Sequence, residues 1–307
     1  PFPESIEVYA LASYYWLQIS FKTAREESGA VTYFRENTMS GKSYKCLLFI
    51  IIFYLLELLR AGSPAAAEPA NSSLEQPITI CILDSGWNEE GAEGWNYLDN
   101  SSDLSDASGH GTLICQLLEE LVPDARLIML KCFQEEVENN SEENPLVQAI
   151  YDSVDEYQAD IINMSWDSTL EDPALHEAIQ YASRQGVCLT AAAGNLSFQT
   201  PLGSRVYPAG WEEVIGVGGV NVEEDGTVAS SVWYLSSEAV FVCADGNYKE
   251  EKGSSFAVPR VTAIIANYLE ENPLAEEADV REYLKNQAAD AGKEGYDTTF
   301  GWGYLKE

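Results

Sequence analysis

Four glycine-containing motifs in this 307-residue chain carry side chains that could perform hydrolysis together. In chain order they present Asp84, His110, Asn195 and Ser255. A serine hydroxyl is a weak nucleophile at neutral pH, so peptide cleavage needs a base that takes its proton and later protonates the leaving amine. A carboxylate can fix the tautomer of that base, and an amide can bind the oxygen that becomes negative. These residue types predict acyl transfer by a serine nucleophile.

The serine candidate lies in residues 252–259, a run of small residues that leads into an apolar pattern of helical spacing. At a helix start, free backbone N–H groups and the helix dipole favour a developing negative charge. Serine is also an ordinary N-cap, so this motif alone leaves both interpretations open.

The chain offers only two histidines as the base, His110 and His176. His110 lies between glycines and directly before an apolar pattern of helical spacing, so we expect it to begin a helix and face a cleft. His176 lies within a predicted helix and is interpreted as a surface residue. Asp84 is the expected partner of His110 and Asn195 the expected oxyanion ligand, although both motifs also form ordinary turns.

Apolar runs of strand length alternate with helical patterns from residue 77 onward, which positions the four motifs. Helices are predicted after residues 110, 144, 172 and 255 and around residues 280–284, and strands over residues 78–83, 125–133, 160–164, 187–193, 214–220 and 240–244. This alternation predicts an α/β fold with a mainly parallel twisted sheet and helices on both faces, in three layers. The carboxyl ends of its strands would bring the motifs to one edge.

The order of these motifs resembles that of the subtilisin-like serine proteases (subtilases, peptidase family S8). The resemblance covers roughly residues 77–305 and rests on the run 252–259 together with Ile82-Leu83-Asp84-Ser85-Gly86, Ser108-Gly109-His110-Gly111-Thr112 and Ala192-Ala193-Gly194-Asn195. It implies a subtilisin-like fold and a serine endopeptidase with Asp84, His110 and Ser255 as catalytic triad. It also implies an oxyanion hole formed by the Asn195 side chain and the backbone N–H of Ser255.

The family binds its polypeptide substrate as an added strand, which implies two substrate-binding segments. These are Ser165, Trp166 and Asp167, and Ala192, Ala193 and Gly194. Asp167 stands where the family usually has a small residue, near the pocket for the side chain before the cut bond. We therefore expect a basic side chain there, although an exposed loop carboxylate is an equal alternative in so acidic a chain.

Some positions depart from the family pattern. Phe256 replaces the usual methionine after the nucleophile, and Leu113 replaces a second histidine. Residues 117–123 are shorter than the corresponding loop of the family, which often holds calcium, so we expect no metal site there. The acidic loop 99–106 has no evident ligand geometry, and no cofactor is expected.

The acidic residues are unevenly distributed along the chain. Residues 1–67 carry six acidic and six basic side chains, so the whole formal charge of −33 falls on residues 68–307. Such a charge argues against nucleic acid or an anionic membrane as partner and favours cationic peptides. A solvated acidic surface that keeps the protein soluble is the simpler alternative.

Residues 39–67 match a secretory signal peptide: Met39 is followed by two lysines, an apolar run and a stretch of small residues. The apolar run is short for a membrane span, which favours a signal peptide. Glu57 and Arg60 weaken the match to a signal peptide, so an uncleaved membrane anchor is the alternative. The expected organisation is an upstream extension (1–38), a signal peptide or membrane anchor (39–67), a linker (68–76) and a catalytic domain (77–307). The mature protein would be secreted or held at the cell surface.

No room is left for a folded pro-segment after the predicted signal, so we expect a separate pro-segment or inhibitor, or folding without one. The domain is expected to be a monomer. Its cysteines mostly lie in apolar runs, which predicts buried free thiols at Cys81, Cys115, Cys132, Cys188 and Cys243.

Two other functions remain open. The missing pro-segment and the short spacings between motifs are compatible with a processing peptidase that removes leader segments from one modified peptide. A non-catalytic binding module on the same fold is the other alternative, because a sequence does not show whether the four side chains meet.

Overall fold

The computed structural model describes residues 77–133, 144–197, 200–223, 227–229 and 234–306. All of them belong to one compact unit, Leu74–Glu307. The predicted extension, signal peptide or anchor, and linker therefore lie outside the described residues.

The unit is built on an eight-stranded sheet in the order β2-β3-β1-β4-β5-β6, with β7 and β8 both paired to β6. All pairings are parallel except that of β7. The strands are β1 (Thr79–Asp84), β2 (Gly94–Asn96), β3 (Arg126–Lys131), β4 (Ile161–Met164), β5 (Cys188–Ala192), β6 (Ile215–Val222), β7 (Val228–Ala229) and β8 (Val242–Asp245). A separate antiparallel hairpin follows, formed by β9 (Asn247–Tyr248) and β10 (Glu251–Lys252).

Five helices surround this sheet in the described residues: α1 (His110–Leu121), α2 (Pro145–Asp155), α3 (Pro173–Arg184), α4 (Ser254–Glu271) and α5 (Glu277–Gln287). Asn144 and Asp172 cap α2 and α3, since each side chain accepts backbone N–H bonds of the first turn and a proline follows. Helix α1 continues to Leu121, as the helical spacing of its apolar residues predicts, and so includes most of the segment 117–123.

Successive side chains of β1 point alternately into two apolar cores, one on each face of the sheet. Ile80 and Ile82 pack with residues of α1, α4 and α5, whereas Cys81 and Leu83 pack with residues of α2 and α3. Because a strand points successive side chains to opposite faces, a central strand with no polar alternation must be covered on both sides. The three-layer α/β prediction is confirmed.

The five cysteines of the described residues are free and buried, as predicted. Burial raises the pKa of Cys81 and of Cys188 to about 12, so both thiols stay neutral at physiological pH. No helix in the described ranges combines the length and apolar character needed to cross a bilayer.

Candidate active site

The predicted site residues lie along one edge of the sheet. Asp84 ends β1, Ser165 directly follows β4, and Asn195 follows β5, while α1 and α4 begin with the histidine and serine motifs. β1 lies between β3 and β4, where the connections of the chain change direction across the sheet. In open α/β sheets, a crevice forms at this position, outside the carboxyl ends of the strands.

Asp84 and His110 are in direct contact. The Asp84 carboxylate is 1% exposed, and its Oδ1 lies 2.8 Å from Nδ1 of His110. The same oxygen accepts the backbone N–H of Ser85 at 2.8 Å. When Nδ1 donates to Asp84, the lone pair of the neutral imidazole is on Nε2, so the ring can act as a base on its other side.

The close approach of β1 and α1 depends on two glycines. A Cβ added at Gly111 would lie 2.4 Å from the backbone oxygen of Gly86. Any side chain at position 111 would therefore push the first turn of α1 away from the turn after Asp84. This packing explains why His110 is flanked by glycine on the helix side.

Several opposing influences act on the protonation of His110. Burial is the largest and lowers its pKa, but the hydrogen bond with Asp84 and the charges of Asp84, Asp106 and Glu251 outweigh it, so the pKa is raised above 6.5. His110 accepts a proton only when neutral, so its reactivity as a base should increase as pH rises through this raised pKa.

Ser255 lies in the first turn of α4, and Asn195 reaches the same turn. Oδ1 of Asn195 accepts the backbone N–H of Ser254 at 2.9 Å, which orients the amide. A Cβ added at Gly253 would lie 3.7 Å from Asn195 Nδ2 and 3.8 Å from Ser255 Oγ, so these atoms border the same small space. The arrangement can hold an oxyanion between a side-chain donor and the helix start.

His110 also reaches this turn, because its ring lies 5.9 Å from the ring of Phe256, centroid to centroid. No hydrogen bond joins Ser255 Oγ to His110 in the described part of the chain. Catalytic hydrogen bonds of this kind are often long before a substrate binds.

The two predicted substrate-binding segments are adjacent. A Cβ added at Gly194 would lie 3.5 Å from Oδ2 of Asp167, a partly buried carboxylate. Burial raises the pKa of Asp167 to about 6. Trp166 is held edge-on against Phe133, with ring centroids 5.7 Å apart.

The side chains of Ala192 and Ala193 are fully buried, so any substrate contact of these two residues must involve the backbone. The N–H of Ala193 already donates to Val217 O, and the oxygen of Gly194 accepts from Leu235 N. One backbone group of Ala193 and one of Gly194 are therefore engaged within the fold.

A buried polar network that the sequence analysis missed supports the site. The Asn163 side chain donates to Ser165 Oγ at 2.9 Å and accepts from Thr262 Oγ1 at 3.0 Å. A hydrogen bond of 2.8 Å joins the hydroxyls of Thr262 and Thr190. All four residues are at most 1% exposed. The network joins β4 and β5 to α4. The sequence did not reveal it, because a polar residue inside an apolar run gives no indication of which distant residue it will bind.

His176 is only partly a surface residue, which corrects its interpretation. Its ring stacks on Trp211 with centroids 4.4 Å apart and planes 4° apart, and Nε2 lies 3.2 Å from Glu213 Oε2. Its side chain is 29% exposed. The described residues contain no His, Cys, Asp and Glu cluster with metal-site geometry.

Known proteins are similar to this chain in sequence or in fold. Minor extracellular protease Epr of Bacillus subtilis (strain 168) is 27% identical over 252 residues, which cover 75% of this chain and 38% of Epr. Fervidolysin of Fervidobacterium pennivorans is 29% identical over 178 residues, covering 49% of this chain and 25% of Fervidolysin. The chain thus spans well under half the length of these two relatives.

Two solved structures have the same fold. The crystal structure of a lanthipeptide protease aligns with a TM-score of 0.63 and 21% identity, covering 74% of this chain and 85% of that protease. The fervidolysin crystal structure aligns with a TM-score of 0.64 and 21% identity, covering 75% of this chain and 41% of fervidolysin. A model of the subtilase family, Peptidase_S8, matches residues 66–303. The chain therefore belongs to the subtilase family of serine-type endopeptidases.

Proposed function

We propose that this chain is a secreted serine endopeptidase that cleaves polypeptides through an acyl-enzyme. The observation that carries the proposal is the 2.8 Å contact between Asp84 Oδ1 and His110 Nδ1, beside the helix turn that bears Ser255. Such a base, oriented by a buried carboxylate at a helix start, is the arrangement that an activated serine requires.

In the proposed reaction, Ser255 Oγ attacks the carbonyl carbon of the peptide bond while His110 Nε2 takes the hydroxyl proton. The negative oxygen of the tetrahedral intermediate lies against Asn195 Nδ2 and the backbone N–H of Ser255. The C–N bond then breaks as His110 protonates the leaving amine. A water molecule repeats the attack on the acyl-enzyme, which releases the acid and restores Ser255.

Treatment of the full chain with a fluorophosphonate probe tests this proposal, with the adduct located by mass spectrometry. We expect modification at Ser255, abolished by Ser255→Ala. Ser254→Ala is the matched control, because Ser254 is adjacent, fully buried and predicted to be unreactive. An adduct on another serine, or no adduct in a chain that is demonstrably folded, would contradict the proposal.

The oxyanion role of Asn195 predicts a defect in chemistry that is separable from folding. Asn195→Asp keeps an oxygen that can accept the Ser254 N–H but removes the amide donor. We expect the rate constant for fluorophosphonate modification to fall about 10²- to 10³-fold, the cost of losing this donor in subtilisin itself.

Asn195→Ala, which removes both the donor and the acceptor, should show a similar loss of rate and also a lower thermal unfolding midpoint. If Asn195→Asp reacted at the wild-type rate, the oxyanion role would be wrong.

Asp167 should confer a preference for Lys or Arg at the residue before the cut bond. No ion pair neutralises this carboxylate within the described residues, and it adjoins Gly194 in the crevice. With its pKa near 6, Asp167 is charged above that pH and protonated below it. The preference should therefore be strong at pH 8 and weak at pH 5, changing about tenfold.

A peptide library measures this preference as the ratio of basic to neutral side chains, which cancels the effect of His110 protonation on the overall rate. Asp167→Asn, which keeps the size of the side chain, should show the low ratio at both pH values. An unchanged cleavage preference in Asp167→Gly would exclude the idea.

A second candidate is a dedicated peptidase that removes leader segments from a modified peptide. It is favoured by the fold shared with a lanthipeptide protease over 85% of that chain. Casein separates the two candidates, because a dedicated peptidase should leave casein intact while still reacting with the fluorophosphonate. Broad casein hydrolysis would favour the general endopeptidase.

We further propose that the protein acts as a monomer without a nucleic-acid partner, and that it either folds without a pro-segment or uses a separate pro-segment or inhibitor. The acidic charge supports the exclusion of nucleic acid, since binding it would require positive charge.

A further inference from the structure

Asp106 lies just before the histidine motif and has no part in the proposed reaction. Asp106 is only 6% exposed. Its carboxylate accepts four hydrogen bonds from the residues that follow it. Oδ1 accepts from Gly109 N at 2.9 Å and Ser108 Oγ at 3.1 Å, and Oδ2 accepts from Thr112 N at 2.9 Å and Thr112 Oγ1 at 2.8 Å.

These bonds hold the backbone on both sides of His110. Gly109 precedes the histidine in a left-handed conformation with φ of 80°, and Thr112 follows it in the first turn of α1. Gly109 has no side chain that could cap the helix, and Asp106 accepts the Thr112 N–H of its first turn, while Ser108 and Ser85 accept the N–H groups of His110 and Gly111. A carboxylate outside the helix therefore binds the backbone on both sides of the imidazole-bearing residue.

Asp106 itself is firmly held and ionised. Its backbone N–H donates to Asn88 Oδ1 at 2.9 Å, and its backbone oxygen accepts from Asn88 Nδ2 at 2.7 Å. Burial raises the pKa of Asp106, but the hydrogen bonds from Thr112 and Gly109 outweigh it, so the pKa is below its ordinary value. The carboxylate is thus charged wherever His110 can act as a base.

A second connection joins Asp106 to the carboxylate that contacts His110. The Ser108 hydroxyl lies within hydrogen-bond distance of both Asp106 and Ser85 Oγ, at 2.8 Å from the latter. Ser85 Oγ in turn donates to Asp84 Oδ1 at 3.2 Å and accepts the Gly111 N–H at 2.9 Å. Both partners of the Asp84 and His110 pair are therefore tied to one network.

We propose that Asp106 is a positioning residue for His110, holding residues 108–112 in the conformation in which the imidazole meets Asp84. Asp106 acts through the backbone and through its charge, and it contacts neither the substrate nor the reacting atoms. The inference rests on the proposed role of His110 as the base.

Asp106→Asn tests this inference, with Asp103→Asn as the matched control. Asp103 is an exposed carboxylate on the same loop, and it accepts the Ser105 N–H at 3.0 Å. The readout is the rate constant for fluorophosphonate modification of the full chain as a function of pH. For Asp106→Asn we expect the plateau rate to fall about 10- to 100-fold, since small misplacements of a catalytic group have that effect.

The pH profile distinguishes positioning from a purely structural role. The charged groups around His110 are Asp84, Asp106 and Glu251, so removing the charge of Asp106 should lower the His110 pKa. The acid midpoint should then move to lower pH. Asp106→Glu retains the charge but displaces the carboxylate, so the midpoint should return towards the wild-type value while the rate stays low. Asp103→Asn should change neither quantity.

The titration of His110 followed by NMR in a Ser255→Ala background provides a readout that needs no activity. The chain has two histidines, so a His176→Gln variant assigns the signals. Should Asp106→Asn fail to fold, Thr112→Val removes the hydroxyl bond to Asp106, together with the bond that the same hydroxyl accepts from the Asn88 N–H, and is expected to lower the rate severalfold in a folded chain.

A folded Asp106→Asn chain with unchanged rate, unchanged acid midpoint and only a lower thermal unfolding midpoint would overturn the inference. Absence of any modification in the wild type would instead count against the proposed function. In that case, a lower midpoint of the His110 titration in Asp106→Asn would still support the placement of Asp106, and an unchanged midpoint would refute it.

Discussion

His110→Ala is expected to reduce the reaction of this chain with a fluorophosphonate about 10⁶-fold, as in subtilisin itself when the nucleophile or the base is removed. Without the imidazole, no group is placed to take the Ser255 proton, and the hydroxyl remains a weak nucleophile. The measurement is the second-order rate constant of modification, taken at a pH above the raised pKa of His110, where the wild-type base is neutral.

His176→Ala is the control, because it removes the only other imidazole of the chain. It breaks the stack on Trp211 and the contact with Glu213, so we expect a lower thermal unfolding midpoint with the rate constant retained. Similar rate losses in both variants would mean that His110 is not the specific base.

Asp84→Asn should reduce the rate about 10⁴-fold. If the amide oxygen takes the place of Oδ1, it can still accept from Ser85 and His110, but the imidazolium formed during the reaction loses its buried counter-charge. The amide nitrogen would then occupy the site of Oδ2, which has no partner among the described residues. In the opposite orientation the amide N–H faces His110 Nδ1 and favours the wrong tautomer.

The pH profile of Asp84→Asn provides a further check. Since Asp84 raises the pKa of His110, removal of its charge should move the acid midpoint of the residual reaction to lower pH. Asp160→Asn is the matched control, because Asp160 accepts the Thr79 N–H at 2.8 Å at the opposite end of β1. Its rate should be unchanged, and an equal loss in both variants would indicate that β1 was merely destabilised.

The central strands and helices were predictable because their apolar patterns are strong and local. The predicted strands at residues 78–83 and 160–164 correspond to β1 and β4, and the proline-marked helix starts at residues 145 and 173 are observed as predicted. Strands β2, β7, β9 and β10 were not predicted, since each has only two or three residues. Their pairing depends on neighbouring strands that are distant in sequence.

The surroundings of the site residues were less predictable than the residues themselves. Asp106 was interpreted only as one carboxylate of an acidic loop, because its hydrogen bonds require the left-handed turn at Gly109. The buried bond between Asn163 and Thr262 spans 99 residues of the chain, and His176 gains its stacking partner from the segment before β6. A single sequence has no local pattern that marks such long-range pairs.

The sequence by itself determined the fold class, the candidate residues and the chemistry that their types allow. Those features depend on residue type and on the spacing of apolar residues, which are local properties of the chain. Only the tertiary structure decided that Asp84 contacts His110, that Asn195 meets the first turn of α4, and that Asp167 adjoins Gly194. The reason is geometric, because distances of a few ångströms between these groups are set by how strands and helices pack.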